Sequence, residues 1–199
     1  MSARDEILSR VRAATATASA ATYAAPARSS RPGSVDLFVE RVEDYRARVE
    51  RCSSADLAER VVAAVEGCSV VVPPGLGVEV PGAVVDAGLS ALQLDAIDAV
   101  VTEATVGISE TGTIVLDHRS GQGRRALTLV PDRHVCIVRD DQVVADVPDA
   151  VAVLDPRRPH TWISGPSATS DIELNRVEGV HGPRQLHVIV VEAASSESV

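Results

Sequence analysis

The chain has 199 residues, of which 45% are apolar and 24% charged, and its formal net charge is −9 at pH 7. All 19 cationic side chains are arginines, which excludes the lysine of a P-loop, of a Schiff-base enzyme or of a pyridoxal-phosphate anchor. Because only four side chains are aromatic and the net charge repels phosphates, we expect no nucleic-acid partner.

The cysteine and histidine spacing argues against a metal or cluster site on this chain. Cys52, Cys68 and Cys136 form no Cys-x-x-Cys pair, which favours a reducing cytoplasm over a disulfide framework. They cannot supply the four thiolates that an iron–sulfur cluster usually needs, so we expect no cofactor bound by this chain alone. The histidines lack metal-ligand spacing, and no metal site is predicted.

The Ala-, Thr- and Ser-rich run 13–27 is too polar to span a membrane or form a signal core. We therefore expect a cytoplasmic protein.

Helices are predicted in the first third of the chain. A short helix should run from residue 3 to about 14 after Ser2, followed by a low-complexity connection that ends at residue 33. Apolar residues recur every three or four positions over 34–52, which predicts an amphipathic helix capped by Ser34. A further helix is expected over 55–66, before Gly67.

Beyond Gly67, short Val-rich runs alternate with Gly, Pro and Asp. Runs that are apolar on both faces are typical of a central sheet covered by helices. Strands are predicted at 69–72, 83–85, 99–101, 113–116, 134–138 and 186–191, and helices at 90–96, 148–154 and 168–175. The predicted fold class is α/β, a layered open sheet with flanking helices over 34–193, with N-terminal helices, a flexible connection within 1–33 and a polar tail over 194–199.

Opposite charges are segregated along the middle of the chain. Residues 61–118 contain eight acids and no arginine, whereas 119–139 contain five arginines and one acid. If the two segments meet, Arg124 and Arg125 could hold a carboxylate or phosphate. Alternatively, the segments form a solvated network of salt bridges.

The segment Gly107-Ile-Ser-Glu-Thr-Gly-Thr113 leads straight into a predicted strand. At a strand end, the carboxylate of Glu110 could act as a base or a nucleophile, or bind a cation. Alternatively, it accepts backbone hydrogen bonds in a turn. The neighbouring candidates for ligand binding are Thr111, Gly112 and Thr113.

The segment 164–173 begins with a turn shaped by glycine and proline and leads into the predicted helix over 168–175. The free N–H groups at the start of such a helix could bind an anion. The acids at its start could satisfy the same groups instead. The candidate ligand-binding residues are Gly165, Pro166, Ser167, Thr169 and Asp171.

A tight turn, Gly179-Val-His-Gly-Pro-Arg184, precedes the last predicted strand. His181 could serve as a general acid or base, with Arg184 as an anion clamp and Gly182 in the ligand-binding turn. The alternative is a packed histidine without a chemical role.

Four segments, 108–116, 121–132, 164–173 and 179–183, occur in an order and spacing that resemble the LUD-domain family, in its lactate utilisation protein C branch. The resemblance covers about residues 96–192. It implies a fold similar to the NagB, RpiA and CoA-transferase group. It also implies that the chain is a component of the bacterial oxidation of L-lactate to pyruvate, with iron–sulfur clusters held by partner proteins. Since the chain itself lacks cluster ligands, we expect a non-redox role, and its arginines and turns make a small anion a possible ligand.

Ser109-Glu-Thr-Gly112 also resembles the Ser-Glu-Asn-Gly turn of CoA-transferase β subunits, in which the glutamate is the nucleophile. This implies an alternative function, a stand-alone CoA-transferase-like or phospho-ligand enzyme. Glu110 would be its catalytic residue, and Arg124, Arg125 or His181 would hold the anion. Thr111 departs from the CoA-transferase pattern.

Overall fold

The computed structural model describes residues 2–18, 31–166, 168–169, 177–178 and 182–192. Its central layer is a six-stranded sheet in which all neighbouring strands pair in parallel. In the order in which they lie in the sheet, its strands are β1 (Arg48–Ser53), β12 (Gln185–Glu192), β7 (Arg133–Arg139), β4 (Ala99–Glu103), β2 (Val70–Val72) and β3 (Val84–Val85). With helices on both faces, this sheet confirms the predicted α/β class.

The described residues form five helices, α1 (Ala3–Thr15), α2 (Val35–Asp44), α3 (Leu57–Ala64), α4 (Ala91–Asp95) and α5 (Val147–Val153). Two of the five begin at the expected residues, whereas α3 begins after Asp56 and not after the predicted Ser53 or Ser54. α1 starts after Ser2 and α2 is capped by Ser34, as predicted, and the side chain of each serine accepts a hydrogen bond from a backbone N–H in the first turn. Within the described ranges, no helix combines the length and apolarity that crossing a membrane requires.

A smaller four-stranded sheet packs on one side of the central one. Its strands, in the order in which they lie in the sheet, are β8 (Val143–Val144), β5 (Val106–Ile108), β6 (Thr113–Leu116) and β9 (Thr161–Ile163). The turn from β5 to β6 needs Gly112, which has a φ of +60° and where a Cβ atom would lie 2.6 Å from the carbonyl carbon of Arg41. The predicted strand at 113–116 therefore exists, but in the smaller sheet.

The core is built from aliphatic residues on both faces of the central sheet. On one face, Val61 of α3 packs with Val135 and Ile189 of neighbouring strands. On the other face, Phe38 of α2 packs with Ile114 of the smaller sheet. Strands buried on both faces account for the continuous apolar runs in the sequence.

The predicted helix over 34–52 is wrong beyond Asp44. Arg46 has a φ of +66°, a left-handed conformation that a helix cannot continue through. Residues 48–53 instead form β1 and pair with β12, which satisfies the backbone groups of both strands. The buried residue at the end of the helical pattern, Cys52, lies on a strand.

Two further predictions need correction. The strand at 83–85 is not buried, because β3 lies at the edge of the sheet and leaves Val84 and Val85 about half exposed. The predicted helix over 168–175 does not begin as expected: β10 (Ala168–Thr169) pairs antiparallel with β11 (Val177–Glu178), and a paired strand cannot be helical. The remainder of that range lies outside the described residues, as do 19–30 and the predicted tail 194–199.

Candidate functional site

A cavity of about 240 Å³ lies at the amino ends of β7 and β12, on the side of the smaller sheet. We call it the His134 cavity. Three predicted segments contribute to its wall, through Arg125, through the turn at 164–166 and through the pair Gly182–Pro183. The predicted ligand-binding residues Arg125, Gly165, Pro166 and Gly182 are therefore brought together, although they are up to 57 residues apart in the sequence (125 to 182).

His134 lines this cavity and is 1% exposed. Its Nε2 lies 2.8 Å from Oγ1 of Thr102, which is also fully buried. Burial, assisted by the charge of Arg125, lowers the pKa of His134 to about 4, so the ring is neutral at pH 7. A neutral imidazole can accept a hydrogen bond or a proton from a ligand. His134 was not among the predicted site residues; the available signal was a histidine inside the apolar run His-Val-Cys-Ile-Val.

Arg125 brings a positive charge to the same wall. Its Nη1 donates to the carbonyl oxygen of Thr128 at 3.1 Å and to Oγ1 of Thr128 at 3.0 Å. Both residues belong to a 3-10 turn, Arg125–Thr128, and both line the cavity. These bonds orient a guanidinium that could pair with an anion.

The turn after β9 forms another part of the wall. Gly165 has a φ of +82°, and a Cβ atom there would lie 2.5 Å from Cβ of Tyr45, so only glycine fits. Oγ of Ser164 lies 2.8 Å from Oγ1 of Thr113, which in turn accepts a hydrogen bond from Thr111. Hydrogen bonds between hydroxyls thus connect Thr111 and Thr113 to Ser164, which lines the His134 cavity.

Glu110 lines a different cavity, of about 350 Å³, which we call the Glu110 cavity. Arg31 and Arg41 also line it. The backbone N–H of Glu110 donates to the carbonyl of Ala145 at 3.1 Å, and the side chain is exposed. The adjacent Ser109 accepts a hydrogen bond from the backbone of Ser34 at 2.8 Å. Glu110 is therefore separated from Arg125 and the turn at 164–166.

Arg124 and Arg184 are held by carboxylates and do not line the His134 cavity. Arg124 donates to both oxygens of Asp86, at 2.8 and 3.0 Å, and these hydrogen bonds lower the pKa of Asp86. Arg184 donates to Asp132 through Nε at 2.6 Å. At Asp86 and Arg124, the acidic and basic segments of the sequence meet as a salt bridge.

A second such meeting point is Asp117, whose side chain is completely buried. Burial would raise the pKa of Asp117, but hydrogen bonds with Arg119 and Thr105 outweigh it and lower the pKa to about 2. Nε of Arg158 lies 3.5 Å from Oδ2 of Asp117. The salt bridges that the sequence left open as an alternative are therefore observed for Arg119 and Arg124.

Ser167, Asp171 and His181 lie outside the described residues, and of Thr169 only the backbone, in β10, is described. Within the parts of the chain that the structure describes, no group of three or more His, Cys, Asp or Glu side chains could hold a metal ion.

The three cysteines lie in separate places. Cys52 belongs to the core on the α3 side of the central sheet, and Cys136 to the core on the opposite side. Burial raises the pKa of Cys136 to about 12. Cys68 is half-buried, with its Sγ 3.4 Å from Nη1 of Arg133. Thiols on opposite faces of one sheet cannot share a cluster.

Comparisons with known proteins agree with the motifs. The family model of the LUD domain matches residues 89–191. The chain is 48% identical to Lactate utilization protein C of Deinococcus radiodurans, over 85% of this chain and 84% of that protein. It is 38% identical to Lactate utilization protein C of Geobacillus kaustophilus, over 48% of this chain and 45% of that protein.

Among solved structures, the chain resembles the crystal structure of a DUF162 family protein from Deinococcus radiodurans. The two are 42% identical, with a TM-score of 0.68. The match covers 79% of this chain and 95% of the other.

Proposed function

This chain belongs to the LUD-domain family, and we propose that it serves lactate utilisation as a non-redox component of a cytoplasmic L-lactate oxidation system, together with iron–sulfur partner proteins. The observation that carries the proposal is the 48% identity, over most of both chains, to a protein named Lactate utilization protein C. The relatives from other organisms with the same name support it over about half of the chain.

The placement of the cysteines favours a non-redox role. Oxidation of a 2-hydroxy acid to a 2-oxo acid releases two electrons and two protons, and the electrons need an acceptor. Cys52 and Cys136 lie in cores on opposite faces of the central sheet, so they cannot ligate one cluster. We therefore assign the acceptor to clusters on partner proteins and expect no cofactor on this chain alone.

In this proposal the His134 cavity receives a small carboxylate. The Arg125 guanidinium supplies the positive charge, and the hydroxyls of Thr128 and Ser164 supply hydrogen bonds. His134, neutral at pH 7, lines the same wall and offers its ring to a hydrogen bond with the substrate hydroxyl. A cavity of about 240 Å³ is small, which suits an anion of few atoms.

The test is lactate-dependent dye reduction in extracts of the native cells, prepared without oxygen, with the chain deleted and then restored. We expect deletion to abolish activity and the wild-type chain to restore it. Arg125→Gln should restore less than about a tenth, because a charge-assisted hydrogen bond to the anion is lost. The control Arg157→Gln removes an exposed arginine that pairs only with its neighbour Asp155 in the described structure, and should restore full activity. Full lactate oxidation by the partner proteins without this chain would refute the proposal.

A second candidate function rests on the Glu110 cavity, where a carboxylate and two arginines line one space. There, Glu110 would attack the thioester of an acyl-CoA, forming an acyl-glutamyl anhydride and releasing the CoA thiolate. Arg31 or Arg41 could hold the anionic part of the substrate.

Incubation with radiolabelled acyl-CoA, followed by proteolysis, tests this alternative. We expect label on the peptide containing Glu110, lost in Glu110→Gln and kept in the control Glu40→Gln on the exposed side of α2. Equal labelling, or equal thioester turnover, of wild type and Glu110→Gln would eliminate the alternative without affecting the first proposal.

A further inference from the structure

The two ring nitrogens of His134 have different surroundings. Nε2 lies 2.8 Å from Oγ1 of the buried Thr102. Nδ1 forms no hydrogen bond with any described residue, and it is still not among the side-chain atoms that the protein encloses without a hydrogen bond. His134 lines the His134 cavity although its side chain is 1% exposed. Nδ1 is therefore the ring nitrogen that a ligand in this cavity can reach.

The neighbours of Thr102 decide which ring nitrogen carries the proton. Thr102 of β4 stands opposite Cys136 of β7 in the strand register, and His134 lies two residues before Cys136 on the same face. Oγ1 of Thr102 donates to Sγ of Cys136 at 3.8 Å. A hydroxyl has one proton, so with that proton directed to the sulfur its oxygen accepts from Nε2 of His134. The proton of the neutral ring then lies on Nε2.

The positive charge of Arg125 favours the same arrangement. Burial is the main cause of the lowered pKa of His134, and the charge of Arg125 adds to it, so the guanidinium acts on the ring. Both residues line the cavity. A nearby positive charge attracts a lone pair and repels an N–H group, which favours a lone pair on the cavity side of the ring. Nδ1 thus presents a hydrogen-bond acceptor to the cavity.

The rest of the wall suits a short carbon chain. Ile163 and Leu186 line the cavity and give it apolar surface beside the guanidinium of Arg125. The wall therefore combines a cation, a hydrogen-bond acceptor and an aliphatic patch. A small acid with a carboxylate, a hydroxyl and a methyl group offers one partner for each of these.

We propose that the His134 cavity selects a 2-hydroxy carboxylate, such as lactate, over the 2-oxo carboxylate that its oxidation yields. The hydroxyl donates to Nδ1 of His134 while the carboxylate pairs with Arg125. A 2-oxo group has no proton to donate, and its oxygen would meet the lone pair of Nδ1. A site built to bond a hydroxyl discriminates against an analogue that lacks it.

Thr102 is then a positioning residue, because it fixes the ring proton on Nε2. The selectivity rests on the proposed function, which places a small carboxylate in this cavity, and adds that the substrate is bound in preference to the product.

Fluorescence titration of the full chain at pH 7 and constant ionic strength tests the selectivity. Trp162 is the sole tryptophan of the chain and lines the cavity, so a change in its fluorescence reports binding there. The ligands are the sodium salts of L-lactate, pyruvate and propionate, the last of which lacks both the hydroxyl and the oxo group. We expect L-lactate to bind at least about tenfold more tightly than either of the others.

Two variants of Thr102 show whether the ring proton is the cause. Thr102→Val removes the acceptor of the Nε2 proton, and because a buried N–H without a partner is costly, the proton moves to Nδ1, which then donates. The ratio of lactate to pyruvate affinity should fall at least about tenfold. A merely structural role of Thr102 would weaken both ligands alike and leave this ratio unchanged. Thr102→Ser keeps the hydroxyl and should keep the wild-type ratio.

Thermal unfolding verifies that each variant is folded, and Thr102→Ala replaces Thr102→Val if the latter is not. Equal affinities of the wild type for lactate and pyruvate would overturn the selectivity and leave the proposed function standing. An unchanged ratio in Thr102→Val would also overturn it, since the ring proton would not depend on Thr102. Absence of saturable binding of all three ligands at millimolar concentration would overturn it together with the placement of the carboxylate in this cavity. Failure of the proposed function itself shows separately, in the deletion experiment.

Discussion

The two faces of strands β4 and β7 both pack in the core but differ in chemistry. Toward α3, the fully buried side chains of these strands are aliphatic, among them Val101, Val135 and Ile137, whereas Glu103 and Arg133 on the same face are partly exposed. Toward the smaller sheet, they present Thr102, His134 and Cys136. The polar face borders the His134 cavity, whereas the aliphatic residues do not. Since a buried polar group is tolerated only with a partner, the aliphatic face needs only packing, whereas the polar face depends on hydrogen bonds such as the one between His134 and Thr102.

The largest effect is expected on the aliphatic face. Ile189→Ala deletes a fully buried side chain and should lower the free energy of unfolding by about 2–5 kcal/mol, through lost burial and the cavity that remains. Urea unfolding measures this loss in the free energy of unfolding. Val84→Ala, at the half-exposed edge strand, is the control and should cost less than about 1 kcal/mol. Similar losses for both variants would contradict the assignment of this face to the core.

On the polar face, stability should depend on pH through His134. Its pKa is about 4 in the folded protein and 6.5 as an ordinary value, so between these values the unfolded chain binds the extra proton. Stability should therefore be fully present above pH 6.5 and fall as the pH drops toward 4, by about 3 kcal/mol from this group. Urea unfolding at pH 7, 5.5 and 4.5 should show a shallower decline for His134→Gln than for wild type.

Because the pKa of His187 is also lowered, the wild-type decline includes a second contribution, and only the difference between the two proteins reports on His134. Parallel declines for wild type and His134→Gln would mean that His134 is not a buried neutral ring. The two faces would then not differ in the way described.

A smaller effect is expected for an isosteric exchange at Thr102. Thr102→Val keeps the side-chain shape but removes the hydroxyl that partners His134, and should cost about 1–3 kcal/mol. The reverse exchange on the aliphatic face, Val101→Thr, inserts a hydroxyl there and should lower the free energy of unfolding by a similar amount. In a double-mutant cycle, Thr102→Val should couple with His134→Gln. A neutral Thr102→Val would show that the hydroxyl has no structural role.

The central strands could be predicted because both faces of them are buried. The runs at 134–138 and 186–191 are apolar without interruption, and they lie within β7 and β12. β1 could not be predicted, because residues 48–52 continue the apolar spacing of α2 and only the left-handed turn at Arg46 separates the two elements. β3 was predicted as a strand but not as an exposed one, since its place at the sheet edge depends on which strands pair.

The candidate site could be predicted in part. The segments containing Arg125, Gly165 and Gly182 were identified from their turns and charges, and the structure brings these residues to one cavity. Glu110 was identified with them but lines another cavity, because the turn from β5 to β6 directs it toward Arg41. His134 was missed because the apolar run around it indicates that the histidine is buried but not which cavity it faces.

The sequence by itself determined the α/β class, the helix starts at Ser2 and Ser34, and membership of the LUD-domain family, since composition, local periodicity and ordered motifs are properties of neighbouring residues. Only the tertiary structure decided which polar residues share a cavity. The contact of His134 with Thr102 follows from strand order and register. Strand order depends on pairings between distant segments, which no local pattern encodes.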